Sequence, residues 1–142
     1  MEDAGLNRFV VDGSQVLDAG EWRQRLNVPW RHQGTGMTFA EVDDLNQRID
    51  LQALSTYSRM VQARTREVVK ALDPKSLDAI MEAERLRVIL IDEGLAAPQA
   101  ADLLDNYMGW NKGRCLIHFG LTHSFQHVGE IGVIASLLGL EY

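Results

Sequence analysis

LIHFGLTHSFQHVGEIGVIASLLGL, residues 116–140, is the most apolar run of the chain and holds three of its four histidines. It reads as the body of a long final helix that starts near Lys112, ends near Leu138 and is closed by Gly139. On that helix His123, His127 and Glu130 share one stripe. The rotation from 123 to 127 is about 40°, and from 123 to 130 about 20° the other way, at roughly 3.6 residues per turn. Two imidazoles so placed can converge on one metal ion, and a carboxylate one turn on can ligate it or orient a ring. Leu116, Ile117, Phe119, Leu121, Val128, Ile131 and Ile134 surround the motif, so the helix is expected to be well buried.

Other residues qualify this reading. Ser124, not a glutamate, follows the first histidine of the pair, which argues against the H-E-x-x-H metalloprotease pattern. Catalytic zinc sites usually carry three protein ligands, and the candidates for the third are Glu130 and the loop residue His32. His118 precedes His123 by five residues and points about 140° away on a regular helix, which makes it a surface or supporting residue. The plain alternative is that His123 and His127 are exposed or satisfied by hydrogen bonds.

The rest of the chain is also helical in pattern. A first helix is expected over Glu2 to Leu17, followed by an amphipathic turn at Glu21 to Leu26. NVPWRHQGTGMT (27–38) is loop, and an aperiodic loop of that length is more often functional than idle. Thr38 with Glu41 forms a capping box for a helix from Phe39 to Gln47. Asp50 caps the next, Leu51 to Leu72, whose stripe is Leu54, Tyr57, Val61, Val68 and Leu72. Further helices are expected from Ser76 to about Leu90 and over part of 96–107. Strand signals are nearly absent, so the fold class is all-α, a helical bundle in one domain, 1–142.

Composition narrows the function. Fourteen basic and twenty acidic side chains give a net charge of −6, which argues against nucleic acid as a partner. The single cysteine, Cys115, permits no internal disulfide and fits a reducing cytoplasm. There is no membrane-length apolar run and no signal-peptide pattern at MEDAGLNRF, so the chain reads as cytoplasmic. Cys115 lies too far along the helix to touch His123 and reads as a structural thiol. GTGM (34–37) lacks the strand and spacing of a phosphate loop. Trp22, Trp30 and Trp110 read as core or loop anchors.

The run 116–140, the NKGRCLIH that opens its helix, and GTGM followed by a helix together resemble the DinB-like (YfiT-type) four-helix bundles. That resemblance implies an up-down-down-up bundle that commonly dimerises and includes thiol-dependent transferases. It also implies a divalent metal held by three histidines, two of them matching His123 and His127. MEDAGLNRFVVDG resembles the stretch just after the family's third metal histidine, and residues 1–17 contain none. On this likeness the chain is N-terminally truncated, and Glu130, His32 or a partner chain must complete the site. The stripe of Leu54, Val61, Val68 and Leu72 and the final helix would then face a gap that a homodimer fills. The first helix, Leu6 to Val16, is expected at that interface.

Two functions follow. One is a metal-dependent enzyme, with zinc or nickel on His123 and His127 activating a low-molecular-weight thiol or a water toward a small-molecule substrate. Its chemistry would be thiol transfer or metal-assisted hydrolysis. The other is a metal-free association module with a degenerate site.

Overall fold

The computed structural model describes residues 1–100 and 102–140. Among them the architecture is all-α, with one isolated β-bridge and no strand. Besides short 3-10 turns, seven α-helices follow one another among the described residues: α1 (2–10), α2 (Trp22–Leu26), α3 (Phe39–Arg48), α4 (Leu51–Ala71), α5 (83–92), α6 (Leu103–Tyr107) and α7 (112–137). Three of them change pitch along their length. α1, α5 and α7 contain π-helical stretches at Gly5–Val10, Val88–Asp92 and His118–Thr122. There the backbone bonds run from i to i+5, which brings residues five apart onto one face.

The helix starts follow side-chain caps. Thr38 Oγ1 accepts from the Glu41 N–H at 3.3 Å, and the Glu41 carboxylate accepts from the Thr38 N–H at 2.7 Å. Asp50 caps α4 through the Ala53 N–H, and Asn111 caps α7 through the Arg114 N–H, both at 2.8 Å. Each carboxylate or amide satisfies a donor that the first helical turn leaves without a partner. The expected loop over 27–38 contains no helix. Residues 96–107 form a 3-10 turn, Pro98–Ala100, and then α6, with Ala101 outside the described residues.

Two expected helices are shorter than periodicity implies. The first ends at Val10, because Asp3 captures the backbone N–H groups of Val16 and Leu17, each at 2.9 Å, and folds that segment back. The helix expected from Ser76 is a 3-10 turn, Pro74–Asp78, and α5 starts only at Ala83. Between them Ile80 bridges Asn111, with Met81 N–H donating to Trp110 at 2.8 Å and Lys112 N–H to Ala79 at 2.9 Å. A tertiary pairing has displaced local propensity there.

The core lies where α1, α5 and the first half of α7 meet. Leu6, Phe9, Leu86, Leu90, Cys115 and Phe119 are fully enclosed. Phe9 packs on Tyr107 and Phe119 with ring centroids 5.4 and 5.1 Å apart. The two π stretches interlock: Gly5 lies so close to Phe119 that a β-carbon there would overlap the ring, and Gly120 faces Leu6 in turn. α4 joins this body through a polar seam. Tyr57 donates to Asp3 at 2.6 Å, Thr65 to Glu2 at 2.6 Å and Arg64 to Asn7 at 3.2 Å, flanked by buried Val61 and Val68. Leu54, expected in that stripe, is exposed.

Burial of the last helix is the largest departure from expectation. Its first half is packed, but no residue of His123–Leu137 is buried, and Phe125, Val128, Ile131 and Leu137 all stand exposed. No helix among the described residues is long and apolar enough to cross a membrane. The first helix reverses its expected role as well. Leu6, Phe9 and Val10 are consumed by the chain's own core, so that side of α1 is not free for a partner.

The interlock yields a contrast between two glycines. Gly5→Ala is expected to lower stability in urea unfolding by about 1–3 kcal/mol, the range of overpacked cores. Gly129→Ala, where an added β-carbon meets nothing within 4 Å, should instead raise it by roughly 0.5–1 kcal/mol through helix propensity. Equal responses would contradict the packing described.

Candidate functional site

α7 leaves the core at its π stretch, and the histidines sit at that exit. His123 Nε2 and His127 Nε2 are 2.9 Å apart. On its other side, His127 Nδ1 meets Glu130 Oε2 at 2.7 Å, while Gln126 Nε2 donates to Glu130 Oε1 at 3.1 Å. The helical stripe of His123, His127 and Glu130 is therefore an actual chain of contacts.

His118 departs from its expected direction. Because the His118–Thr122 stretch is π-helical, a separation of five residues closes a turn instead of overshooting it. The His118 and His123 rings come within 5.4 Å, and the His123 and His127 rings within 4.4 Å. His118 is steadied edge-on against Trp110 and Phe119. Three imidazoles thus line up along one edge of α7. A 3.6-residue reading cannot find this, and no composition cue marks the π turn.

Charge in the row is set by surroundings. Burial, then the neighbouring His127 and His118, hold His123 below the ordinary histidine range. Burial and Arg114 do the same to His118. Glu130 is held below the usual carboxylate range by the bonds from His127 and then Gln126. An ionised Glu130 accepts from His127 Nδ1–H, which leaves a lone pair on His127 Nε2. With His127 neutral in that tautomer, the 2.9 Å contact is one N–H···N bond donated by His123.

The same spacing can be tested against a metal. Two nitrogens each about 2.1 Å from one ion stand about 3.0 Å apart at a right angle and about 3.4 Å at the tetrahedral angle. The observed pair fits the first. Among the described residues, however, no group of three His, Cys, Asp or Glu side chains is gathered as a metal would need.

His123 and His127 open onto a cleft of about 570 Å³ whose far wall is the loop residues Gln33, Gly34 and Thr35. The 27–38 loop does fold over this end of the molecule, but His32 is not the residue it brings. His32 lies in a neighbouring cleft, stacked on Trp30 at 5.6 Å and accepting from the Gly34 N–H at 3.2 Å. Cys115 is enclosed, and burial pushes its thiol up to about 11, outside the range of a nucleophile at neutral pH. Trp22 is a core residue against Tyr57, whereas Trp110 stacks under Arg114 at 4.0 Å beside His118.

Burial lowers His32, His118 and His123 in the folded state. The unfolded chain, with histidines near about 6.5, therefore binds more protons as the solution acidifies. Their contribution to stability is complete above about pH 7 and is lost as pH falls through 6.5 toward the folded values. The thermal midpoint should be lower at pH 5.5 than at pH 7.5, and His118→Gln should shrink the difference. A midpoint unchanged or higher at pH 5.5 would contradict the burial of these rings.

Comparison with known proteins adds no identity: the chain matches no family model, no curated protein and no solved structure.

Proposed function

We propose that His123 and His127 are ligands of a divalent metal, zinc or nickel, in an enzyme of the DinB-like kind that acts on a small molecule. The observation that carries this reading is the 2.9 Å approach of the two Nε2 atoms with Glu130 bonded to the far side of His127. A carboxylate behind a ligating histidine fixes its tautomer and aims its lone pair. Glu130 is thereby an orienting residue and not the third ligand. Such an ion lowers the pKa of a bound water or thiol toward neutrality, the chemistry needed for hydrolysis or thiol transfer. The chain's own part is to hold two neutral imidazoles, place His118 beside them, and wall the cleft with Gln33 to Thr35.

Stripped of metal and then offered zinc or nickel at neutral pH, the protein should bind one equivalent. His127→Ala should abolish binding, because a single imidazole forms no chelate. Glu130→Gln should keep the stoichiometry and weaken affinity about 10–100-fold. Binding below about 0.1 equivalent by the unaltered protein would sink the metal reading.

A specific observation favours a second role, self-association. Phe125, Val128, Ile131, Val133, Ile134 and Leu137 stand exposed on α7. Leaving a large apolar side chain in water forfeits roughly 1.5–3 kcal/mol, so six such positions rival a domain's whole margin of about 5–15 kcal/mol. Between His123 and Leu140 the only charged side chain, with histidines neutral, is Glu130, so two copies of this helix meet little like-charge repulsion. A homodimer through α7 covers the face, and it can carry a ligand from the second chain to the His123–His127 pair. Light scattering at micromolar concentration should report twice the chain mass of 15.9 kDa. A well-folded particle of one chain mass would refute it.

A further inference from the structure

A cavity of about 510 Å³ opens between the Pro74–Asp78 turn and the first turns of α7. Among the described residues it shares no lining side chain with the His123–His127 cleft. Its two walls are fastened together by backbone. Ile80 bridges Asn111, Lys112 N–H donates to Ala79 at 2.9 Å, and Met81 N–H donates to Trp110 at 2.8 Å. A β-carbon on Gly113 would come within 3.3 Å of the Leu77 carbonyl oxygen, so the bare glycine lets the turn approach this closely. The volume lies inside the range of about 300–1,000 Å³ usual for small-molecule sites.

The lining combines a fixed cation, a carboxylate and an apolar surface. Arg114 lies over the Trp110 ring, its Cζ 4.0 Å from the centroid. Burial, and then the Arg114 charge, hold His118 below the ordinary histidine range. The guanidinium therefore stands near both rings, and His118 is neutral at pH 7. Trp110 is steadied in turn, edge-on to Tyr107 and to His118 with centroids 5.1 Å apart in each case. Asp78 also lines the cavity, yet it is not among the charges that act on His118, whereas Arg114 is. The two opposite charges thus reach the cavity from separate places. Leu77 and Ile117, the latter 58% exposed, supply the apolar surface.

These groups select a ligand class by charge. A phosphate or dicarboxylate brings a second negative charge, which one guanidinium does not match and Asp78 repels. A simple amine meets Arg114 without gain. A wholly apolar molecule displaces water from guanidinium and imidazole and returns no hydrogen bond. One carboxylate, one ammonium and an apolar body together meet every group. We propose that this cavity binds a free α-amino acid with a large apolar side chain. Its carboxylate takes paired N–H groups of the Arg114 guanidinium. Its ammonium faces Asp78, and its side chain covers Leu77 and Ile117. The assignment depends neither on a metal nor on self-association.

The test uses the full chain with chelator present, so its outcome is separate from that of the metal reading. L-phenylalanine is titrated while the indole N–H signal of Trp110 is followed by ¹H–¹⁵N NMR. The expected result is a saturable shift of that signal, with those of Trp22 and Trp30 unmoved. Phenylpropanoate, which lacks the ammonium, and phenethylamine, which lacks the carboxylate, should each bind about tenfold more weakly, the loss of one charged hydrogen-bond partner. Asp78→Asn and Arg114→Gln, both at exposed positions, should each weaken L-phenylalanine by a similar factor and keep the fold. Absence of a saturable shift means the cavity holds only water and overturns the proposal. Either control binding as tightly as L-phenylalanine overturns it, and so does unchanged affinity in either variant.

Discussion

The contact between Gly5 and Phe119 holds the rest of the structure in place. Two helices approach closely enough for a phenyl ring to rest on bare backbone, and the reciprocal pair, Leu6 on Gly120, repeats the arrangement one step away. Both halves of the contact lie in π-helical turns. The wider turn of α7 puts Phe119 into the core and, by the same geometry, swings His118 and His123 onto one edge. Core packing and site geometry are therefore one structural event.

Polar groups do comparable work at the next level. Asp3 accepts four hydrogen bonds, from Asn7, Val16, Leu17 and Tyr57, and thereby ends α1, turns the chain and anchors α4. The half-buried Arg8–Glu93 ion pair ties α1 to the end of α5. A buried carboxylate is tolerated only when its lone pairs are filled, and Asp3 meets that condition.

Helix type was readable from residues wherever a helix is governed by its own caps and stripe. Thr38 with Glu41, Asp50, and the Val61–Val68 face of α4 all behave as their spacing implies. The site motif was readable too, since His123, His127 and Glu130 meet as helical spacing requires. Sequence pattern failed where distant partners decide. Asp3 shortens α1, the Ile80–Asn111 bridge delays α5, and the π turn realigns His118. The exposure of His123–Leu137 was illegible for another reason: an apolar helix states that it is to be covered, not whether its own chain covers it.

Imidazole nitrogens report directly how Glu130 sets the protonation of the histidine row. Long-range ¹H–¹⁵N spectra of the metal-free protein near pH 8 should show His127 as the Nδ1–H tautomer and His123 as the Nε2–H tautomer. One equivalent of zinc should then move the Nε2 signals of both rings. Finding His127 protonated on Nε2, or both rings averaging freely between tautomers, would contradict the hydrogen-bonded row and the metal centre proposed on it.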